Sequence, residues 1–272
     1  MIKKYIYILF VLFAVPAFAQ IDDTELDEIY IDKMTRSQIE QVIIKVREQT
    51  YKNYIETTDL YTISHQAILG DSLTLINSKE DFKISLFFKN KKLNKSLHPN
   101  PENSNVIDTT FFNRYTFNDS PMYWLTEFVI RKYVNIPDFD FMNNFKEYDF
   151  NRSVKNTITR IDFYSENIYE GYFTFDRNYN LIEVSFELIK PYPIDHSQTR
   201  NGRKMFDKNW RYTKEKVFIQ LGLNPAKKLY IKEMTAEENI EDYNFKRFNS
   251  KNELLIEDKN LDFSTKLLFI KK

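Results

Sequence analysis

The sequence predicts an α+β fold, in which roughly eight to eleven antiparallel strands form one sheet and two helices cover its apolar face. Apolar and polar residues alternate through much of residues 61–88 and 161–270, the period expected of half-buried strands. Two other stretches repeat apolar residues at helical intervals. With only 4 glycines and 16% aromatic residues, the composition is that of an ordered chain.

The N-terminus has the three parts of a secretory signal peptide. Lys3 and Lys4 form a basic start, an apolar run covers residues 5–16, and Ala17-Phe18-Ala19 ends the segment. The run is too short to span a bilayer, and the Ala-x-Ala pattern predicts cleavage before Gln20. We therefore expect residues 1–19 to be removed. Residues 20–272 should form a single β-rich exported domain, periplasmic or extracellular and not transmembrane.

Each of the two predicted helices has a capping signal and an apolar stripe. After a short strand near residues 25–32, Thr35 and Gln38 have capping-box spacing, and the stripe beyond them comprises Ile39, Val42, Ile43, Val46 and Tyr54. Asp119 is the predicted N-cap of the second helix, which should end before Ile136-Pro137. Its stripe comprises Trp124, Leu125, Phe128 and Val129.

The strands are predicted from alternation and from turn residues. Three strands are expected within residues 61–88, with a turn at Gly70-Asp71. Residues 90–109 lack periodicity and are expected to form a flexible loop. The clearest strands cover residues 161–188, with a turn at residues 177–180 between the last two. Further strands are expected near residues 209–221, 227–234, 243–248, 252–258 and 265–270.

Composition and missing motifs exclude several kinds of chemistry. There is no cysteine, so thiol catalysis and Cys-ligated metals are excluded. Without Lys3 and Lys4, 37 basic residues face 39 acidic ones, a balance unlike that of a nucleic-acid-binding protein. His65, His98 and His196 form no metal-ligand motif, and no Gly-x-Ser-x-Gly motif is present. We therefore expect no metal, no cofactor and no enzymatic activity.

Four carboxylates and one histidine are further candidates for catalytic chemistry. Four carboxylates are close in sequence, but they fall on the polar face and in turns, where solvated charge is the ordinary interpretation: Asp162, Glu166, Glu170 and Asp176. His65 lies on the apolar face of its predicted strand, which favours a core or cavity-lining histidine over a ligand or a base.

Two sets of side chains are candidates for binding. The first belongs to the apolar strand faces and would line a groove: Phe82, Ile84, Phe163, Phe173, Phe175 and Phe186. The second belongs to the basic and aromatic stretch within residues 200–216 and could contact anionic lipid headgroups, lipopolysaccharide or an acidic partner: Arg203, Lys204, Trp210 and Arg211. The alternative for the second set is an ordinary solvated surface.

Two passages resemble known exported proteins. Residues 26–31, with the following helix and Lys52-Asn53-Tyr54, resemble the region that follows a carboxypeptidase-regulatory-like domain in exported Bacteroidota proteins of unknown function. The hairpin formed by residues 169–176 and 180–184 resembles one in the same proteins and in periplasmic lipoprotein carriers of the Lol type. The upstream β-sandwich of the first family is missing. The resemblance implies an envelope protein with a large, curved, half-barrel-like sheet and helices on its concave side.

Two functions follow as expectations. The first is a non-enzymatic cell-envelope protein that binds a lipid, a lipidated protein or another hydrophobic ligand in an apolar groove. The second is a protein-protein interaction or structural protein of the bacterial envelope, with a filled core and an envelope protein as its partner. An envelope hydrolase would need convergent carboxylates or a histidine in a cleft.

Overall fold

Twelve strands form one antiparallel sheet in the computed structural model, which describes residues 30–54, 58–71, 73–89, 91–99, 130, 132–200 and 202–272. The predicted antiparallel sheet is thus confirmed. The strands are β1 Tyr30–Lys33, β2 Thr58–Leu69, β3 Leu73–Lys89, β4 Lys92–Pro99, β5 Asp149–Lys155, β6 Ile158–Tyr164, β7 Tyr169–Phe175, β8 Leu181–Leu188, β9 Tyr192–Arg200, β10 Arg203–Leu223, β11 Leu229–Phe248 and β12 Leu254–Lys271.

The sheet is open, and its strand order is β1-β5-β6-β7-β8-β10-β11-β12-β2-β3-β4. β9 lies off this path because β10 has two different partners along one edge. The first half of β10 pairs with β9, where Tyr212 faces Tyr192. The second half pairs with β8, where Lys216 faces Glu187.

The helix α1, Arg36–Asn53, begins at the predicted capping box. Thr35 N donates to Gln38 Oε1 at 2.8 Å, and Gln38 N donates to Thr35 Oγ1 at 3.3 Å. Two side-chain contacts fasten the helix to the turn between β7 and β8. Lys45 Nζ donates to Tyr179 Oη at 3.2 Å, and Asn53 Nδ2 donates to Asn180 Oδ1 at 2.8 Å. The buried face comprises Ile39, Ile43, Val46 and Thr50.

The second predicted helix is described only at its end. Residues 130 and 132–134 are helical, whereas residues 119–129, which would carry the cap and the stripe, lie outside the described residues. A 3₁₀ turn at Ile136–Asp138, the one-turn helix α2 at Asp140–Asn143 and a 3₁₀ turn at Phe145–Glu147 follow. The Phe141 ring stacks on Phe163 with 4.0 Å between centroids. These short helical turns thus pack on the apolar face of the sheet beside α1.

Several predicted strand boundaries are wrong, because pairing continues through polar segments. The three strands expected within residues 61–88 are the two long strands β2 and β3, and residues 77–81 pair with β2 despite their polarity. Residues 92–99 form β4 instead of part of a loop, since an edge strand can be polar. The five strands expected after residue 209 are the three long strands β10, β11 and β12.

The strands β7 and β8 form a hairpin around the predicted turn at residues 177–180. Phe173 lies opposite Val184, and Gly171 opposite Phe186. The register shifts between Thr174 and Phe175, so that Leu181 is buried and Ile182 is only partly buried. Such a shift inserts one extra residue and reverses the alternation beyond it.

Gly171 lies where β7 and β8 approach closely. A Cβ atom at this position would collide with the carbonyl oxygen of Ser185 and would lie 2.7 Å from Phe186 Cα. Both atoms belong to backbone, which cannot move without disturbing the pairing of the strands. Glycine is therefore required here by space alone.

Candidate functional site

The six side chains expected to line a groove are packed into the core between the sheet and the helices. Their exposed fractions are 3% for Phe82, 1% for Ile84, 2% for Phe163, 0% for Phe173, 4% for Phe175 and 5% for Phe186. All six belong to one cluster of buried residues that includes the apolar face of α1. Phe141 lies 6.1 Å from Phe173 and 5.8 Å from Phe186, measured between ring centroids.

The four residues of the expected basic surface are spread along the first half of β10. Lys204 forms an ion pair with Asp207, and Arg211 Nη2 lies 2.9 Å from Glu241 and 3.1 Å from Asp242. The seven-residue interval between Arg203 and Trp210 corresponds to about 20 Å of extended strand. The structure therefore does not bring the four residues together as one patch.

Sequence reasoning missed a buried polar cluster between β10 and β11. Glu215 and Glu238 occupy directly opposite positions in the two strands and are only 1% and 4% exposed. Lys132, from the helical segment before Ile136, places its Nζ 2.7 Å from Oε1 of each glutamate. One ammonium group thus bridges two carboxylates that would otherwise repel each other.

Hydroxyl groups contact all four carboxylate oxygens of this cluster. Tyr169 Oη donates to Glu215 Oε2 at 2.7 Å, and Tyr192 Oη donates to the same oxygen at 3.2 Å. Tyr133 Oη contacts Glu238 Oε1 and lies 2.8 Å from Glu215 Oε1. Thr265 Oγ1 donates to Glu238 Oε2 at 3.3 Å. Buried carboxylates are tolerated when their oxygens are satisfied in this way.

The charges of the cluster keep its donors protonated. Burial alone would lower the pKa of Lys132, but Glu238 and Glu215, with Tyr212 and Tyr192, raise this pKa well above its ordinary value. Burial, together with Glu238 and Glu215, raises the pKa of Tyr133 well above its ordinary value. Burial and Glu215 raise the pKa of Tyr192 to about 12. Lys132 is therefore a cation and the tyrosines are neutral donors at physiological pH.

A cleft of about 160 Å³ opens beside this cluster, between the sheet and the segment that carries α2. Lys132 and Glu215 lie at one side of the cleft, and the aromatic rings of Phe139, Phe141 and Phe186 form much of its wall. Phe186 is the one expected groove residue that lines it. A cleft of this size holds a few water molecules and is smaller than the roughly 300–1,000 Å³ of most small-molecule sites.

The alternation of apolar and polar residues along β10 and β11 could have predicted that both glutamates are buried. Glu215 is in phase with Val217 and Ile219, and Glu238 is in phase with Met234 and Ala236. Each glutamate thus continues an apolar row, which is the informative exception in an alternating pattern. Their neighbours Lys214, Lys216 and Glu237 make the local sequence look like ordinary solvated charge.

His65 is buried in β2, where the apolar face was predicted to place it. Burial lowers its pKa to about 4, so it is neutral at physiological pH. His196 is exposed on β9, and His98 belongs to β4. Within the described ranges, no group of three or more histidine, aspartate or glutamate side chains could hold a metal ion.

Comparisons with family models, with curated proteins and with solved structures found no match to this chain. In the part of the chain that the structure describes, no helix is both long enough and apolar enough to cross a membrane.

Proposed function

We propose that this chain is a non-enzymatic protein of the bacterial cell envelope, with a filled core, that acts through its surface as an interaction or structural protein. One observation carries the proposal: the six side chains expected to line a ligand groove are at most 5% exposed. α1 and the turns around α2 occupy the space that a hydrophobic ligand would need. An interaction protein requires no cavity, whereas a lipid carrier does.

The buried glutamates fit a structural role better than a hydrolytic one. A glycosidase also places two carboxylates close together, but one of them must protonate or attack the substrate. Here Lys132, three tyrosines and Thr265 already satisfy the oxygens of Glu215 and Glu238. Both glutamates are almost fully buried. This saturation supports a cluster that anchors the segment carrying α2 to the sheet.

A carrier of a small hydrophobic ligand is the second candidate, and the cleft beside Lys132 favours it. Its aromatic walls suit an apolar molecule, whereas its three carboxylates, Asp138, Asp140 and Glu215, against the single ammonium group of Lys132 disfavour an acidic head. The cleft would have to widen severalfold to accept an acyl chain. Such widening would require the turns around α2 to move off the sheet.

Native mass spectrometry of the mature protein, recovered from a bacterial envelope fraction without detergent, tests these two candidates. We expect the mass of the polypeptide alone. A stoichiometric lipid adduct would contradict the filled-core proposal and support the carrier. If an adduct forms, Phe186→Trp should displace it from the cleft, whereas Tyr164→Trp, at an exposed position of β6 outside the cleft, should leave it bound.

A further inference from the structure

Two hairpin turns lie side by side at the end of the sheet formed by β9 to β12. One joins β9 to β10, where Arg203 faces Arg200, and the other joins β11 to β12, where Phe248 faces Leu254. Lys204 N donates to Asn252 Oδ1 at 3.2 Å, across the two turns, and Lys204 Nζ lies 5.3 Å from the centroid of the Phe248 ring. We call residues 202–206 and 247–255 the ribbon tip.

The ribbon tip exposes two adjacent leucines. Leu254 is 49% exposed and Leu255 is 56% exposed, the highest values among the large apolar side chains of the described residues. Leu255 has no partner residue across the ladder, because the register shifts between Arg247 and Phe248. The shift projects an extra apolar side chain at the end of a turn, where a charged or polar residue would be the ordinary choice.

The ribbon tip also carries two basic side chains without an ion pair among the described residues. Lys204 pairs with Asp207, the residue just beyond the tip. Arg203 and Lys251 are exposed, and neither makes an ion pair with any residue that the structure describes. Elsewhere along the same strands, acidic partners oppose the basic residues, as in the pairs of Lys214 with Glu237 and Lys246 with Glu257.

We propose that the ribbon tip docks onto a bilayer that contains anionic lipids. Leu254 and Leu255 would enter the boundary between headgroups and acyl chains, while Arg203 and Lys251 would contact lipid phosphates. We favour a bilayer over a protein partner because exposed apolar side chains beside exposed basic ones are the combination that binds anionic membrane surfaces. The docking goes beyond the proposed function and holds whether the core is filled or carries a ligand.

The geometry of β10 sets the orientation that this docking would produce. The interval from Arg203 to Glu215 corresponds to about 40 Å of extended strand. The buried polar cluster and its cleft would therefore lie well above the bilayer surface, and the helix-covered half of the sheet would face the aqueous compartment.

Sedimentation of the mature protein with phospholipid vesicles tests the docking. We expect binding to phosphatidylcholine vesicles that contain about 30% phosphatidylglycerol, and at least roughly tenfold weaker binding to pure phosphatidylcholine, because the surface potential comes from the anionic lipid. Raising the ionic strength to about 1 M should weaken the binding to a similar extent, since salt screens exposed charges. Equal binding to both kinds of vesicle, or no binding to either, would overturn the proposal.

Two double variants separate the charged contribution from the apolar one. Arg203→Gln with Lys251→Gln should weaken binding to the anionic vesicles roughly twentyfold, since each basic residue near an anionic surface contributes about fivefold. Leu254→Ser with Leu255→Ser should weaken it roughly tenfold. Lys146→Gln with Lys232→Gln removes the same charge at exposed positions away from the tip and should change binding less than about twofold.

Thermal unfolding of each variant shows whether it remains folded. One tip variant removes two basic side chains and the other removes two leucines, all at exposed positions. If one variant fails to fold, the other still tests the docking. Unchanged vesicle binding in a folded tip variant would overturn the proposal. An equal loss in the control variant would also overturn it, since the binding would then depend on net charge alone.

Discussion

Glu215 and Glu238 face each other across β10 and β11, and Lys132 Nζ lies 2.7 Å from an oxygen of each. The two strands could not place two carboxylates opposite each other inside the core without a cation between them. Lys132 comes from a part of the chain far from both strands, so the helical segment must dock before the cluster is complete. The cluster therefore selects one position for that segment on the sheet.

Removing the cation from this cluster should destabilise the protein strongly. We expect Lys132→Met to lower the free energy of unfolding by about 3–5 kcal/mol, because it leaves two buried carboxylates without their counter-ion. Urea denaturation measures the effect. Lys266→Met, which removes an exposed lysine that pairs with Glu237, should change stability by less than about 1 kcal/mol. Similar small losses in both variants would contradict the anchoring role.

His65 should make stability depend on pH in the mildly acidic range. Burial lowers its pKa from 6.5 to about 4, so that between these values the unfolded chain binds more protons than the folded protein. Stability therefore rises with pH across this window, and acidification from pH 6.5 to about 4 should cost up to about 3 kcal/mol through this residue.

Two histidine variants isolate this contribution. In urea denaturation at a series of pH values, His65→Gln should show a shallower decrease of stability on acidification than the wild type. His196→Gln, at an exposed position on β9, should retain the wild-type decrease. Equal pH dependence in His65→Gln and wild type would show that His65 is protonated without penalty in the folded protein.

The aromatic core should respond to truncation as a packed interior. We expect Phe175→Ala and Phe186→Ala each to lower the free energy of unfolding by about 3–5 kcal/mol, since each leaves a cavity. Tyr164→Ala removes an aromatic ring that is 45% exposed and should cost much less. Small losses for both phenylalanines, with a hydrophobic ligand lost at the same time, would favour an open groove instead.

Gly171 should tolerate no side chain. In Gly171→Ala the new Cβ atom meets the backbone of Ser185 and Phe186, so we expect a loss of several kcal/mol or a failure to accumulate as folded protein. Gly222→Ala is the matched control, because its Cβ atom would meet the ring of Tyr230, a side chain that can rotate away. Comparable thermal stability in the two variants would contradict the close approach of β7 and β8.

Export should remove the first nineteen residues. N-terminal sequencing of protein recovered from the periplasm or the medium should begin at Gln20, because the Ala-x-Ala pattern ends at Ala19. Substituting Ala17 and Ala19 with bulky residues should block cleavage and leave the precursor membrane-bound. Intact Met1 on protein from membrane-free cytosol would contradict export.

Helix caps, turn residues and strand alternation predicted those elements that depend only on residues close in sequence. The capping box of Thr35 and Gln38 marks the start of α1, and the alternation of Phe173, Phe175, Val184 and Phe186 marks one face of the hairpin. The sequence also predicted the turn at residues 177–180. There the Asp176 carboxylate accepts hydrogen bonds from the backbone N–H groups of Asn178 and Asn180. These features depend on residues close in sequence.

Features that depend on distant partners could not be predicted. Residues 77–81 are too polar to show the alternation of a half-buried strand, yet they pair with β2 as part of β3. Glu215 interrupts an apolar row, and its burial is intelligible only with Lys132, whose position follows from the docking of another segment. The extra residue that buries Leu181 in place of Ile182 likewise arises from pairing across β7 and β8.

The position of β12 makes residues 254–271 decisive for assembly of the sheet. Among the described strands, β12 lies between β11 and β2 and pairs with both. Leu267 of β12 pairs with His65 of β2. Roughly 200 residues separate the two in sequence, so this contact forms between very distant parts of the chain. Lys272 N also donates to Leu60 O at 3.0 Å. The strands β2, β3 and β4 can therefore join β11 only after residues 254–271 have been synthesised, and a chain truncated before β12 would present two unjoined half-sheets.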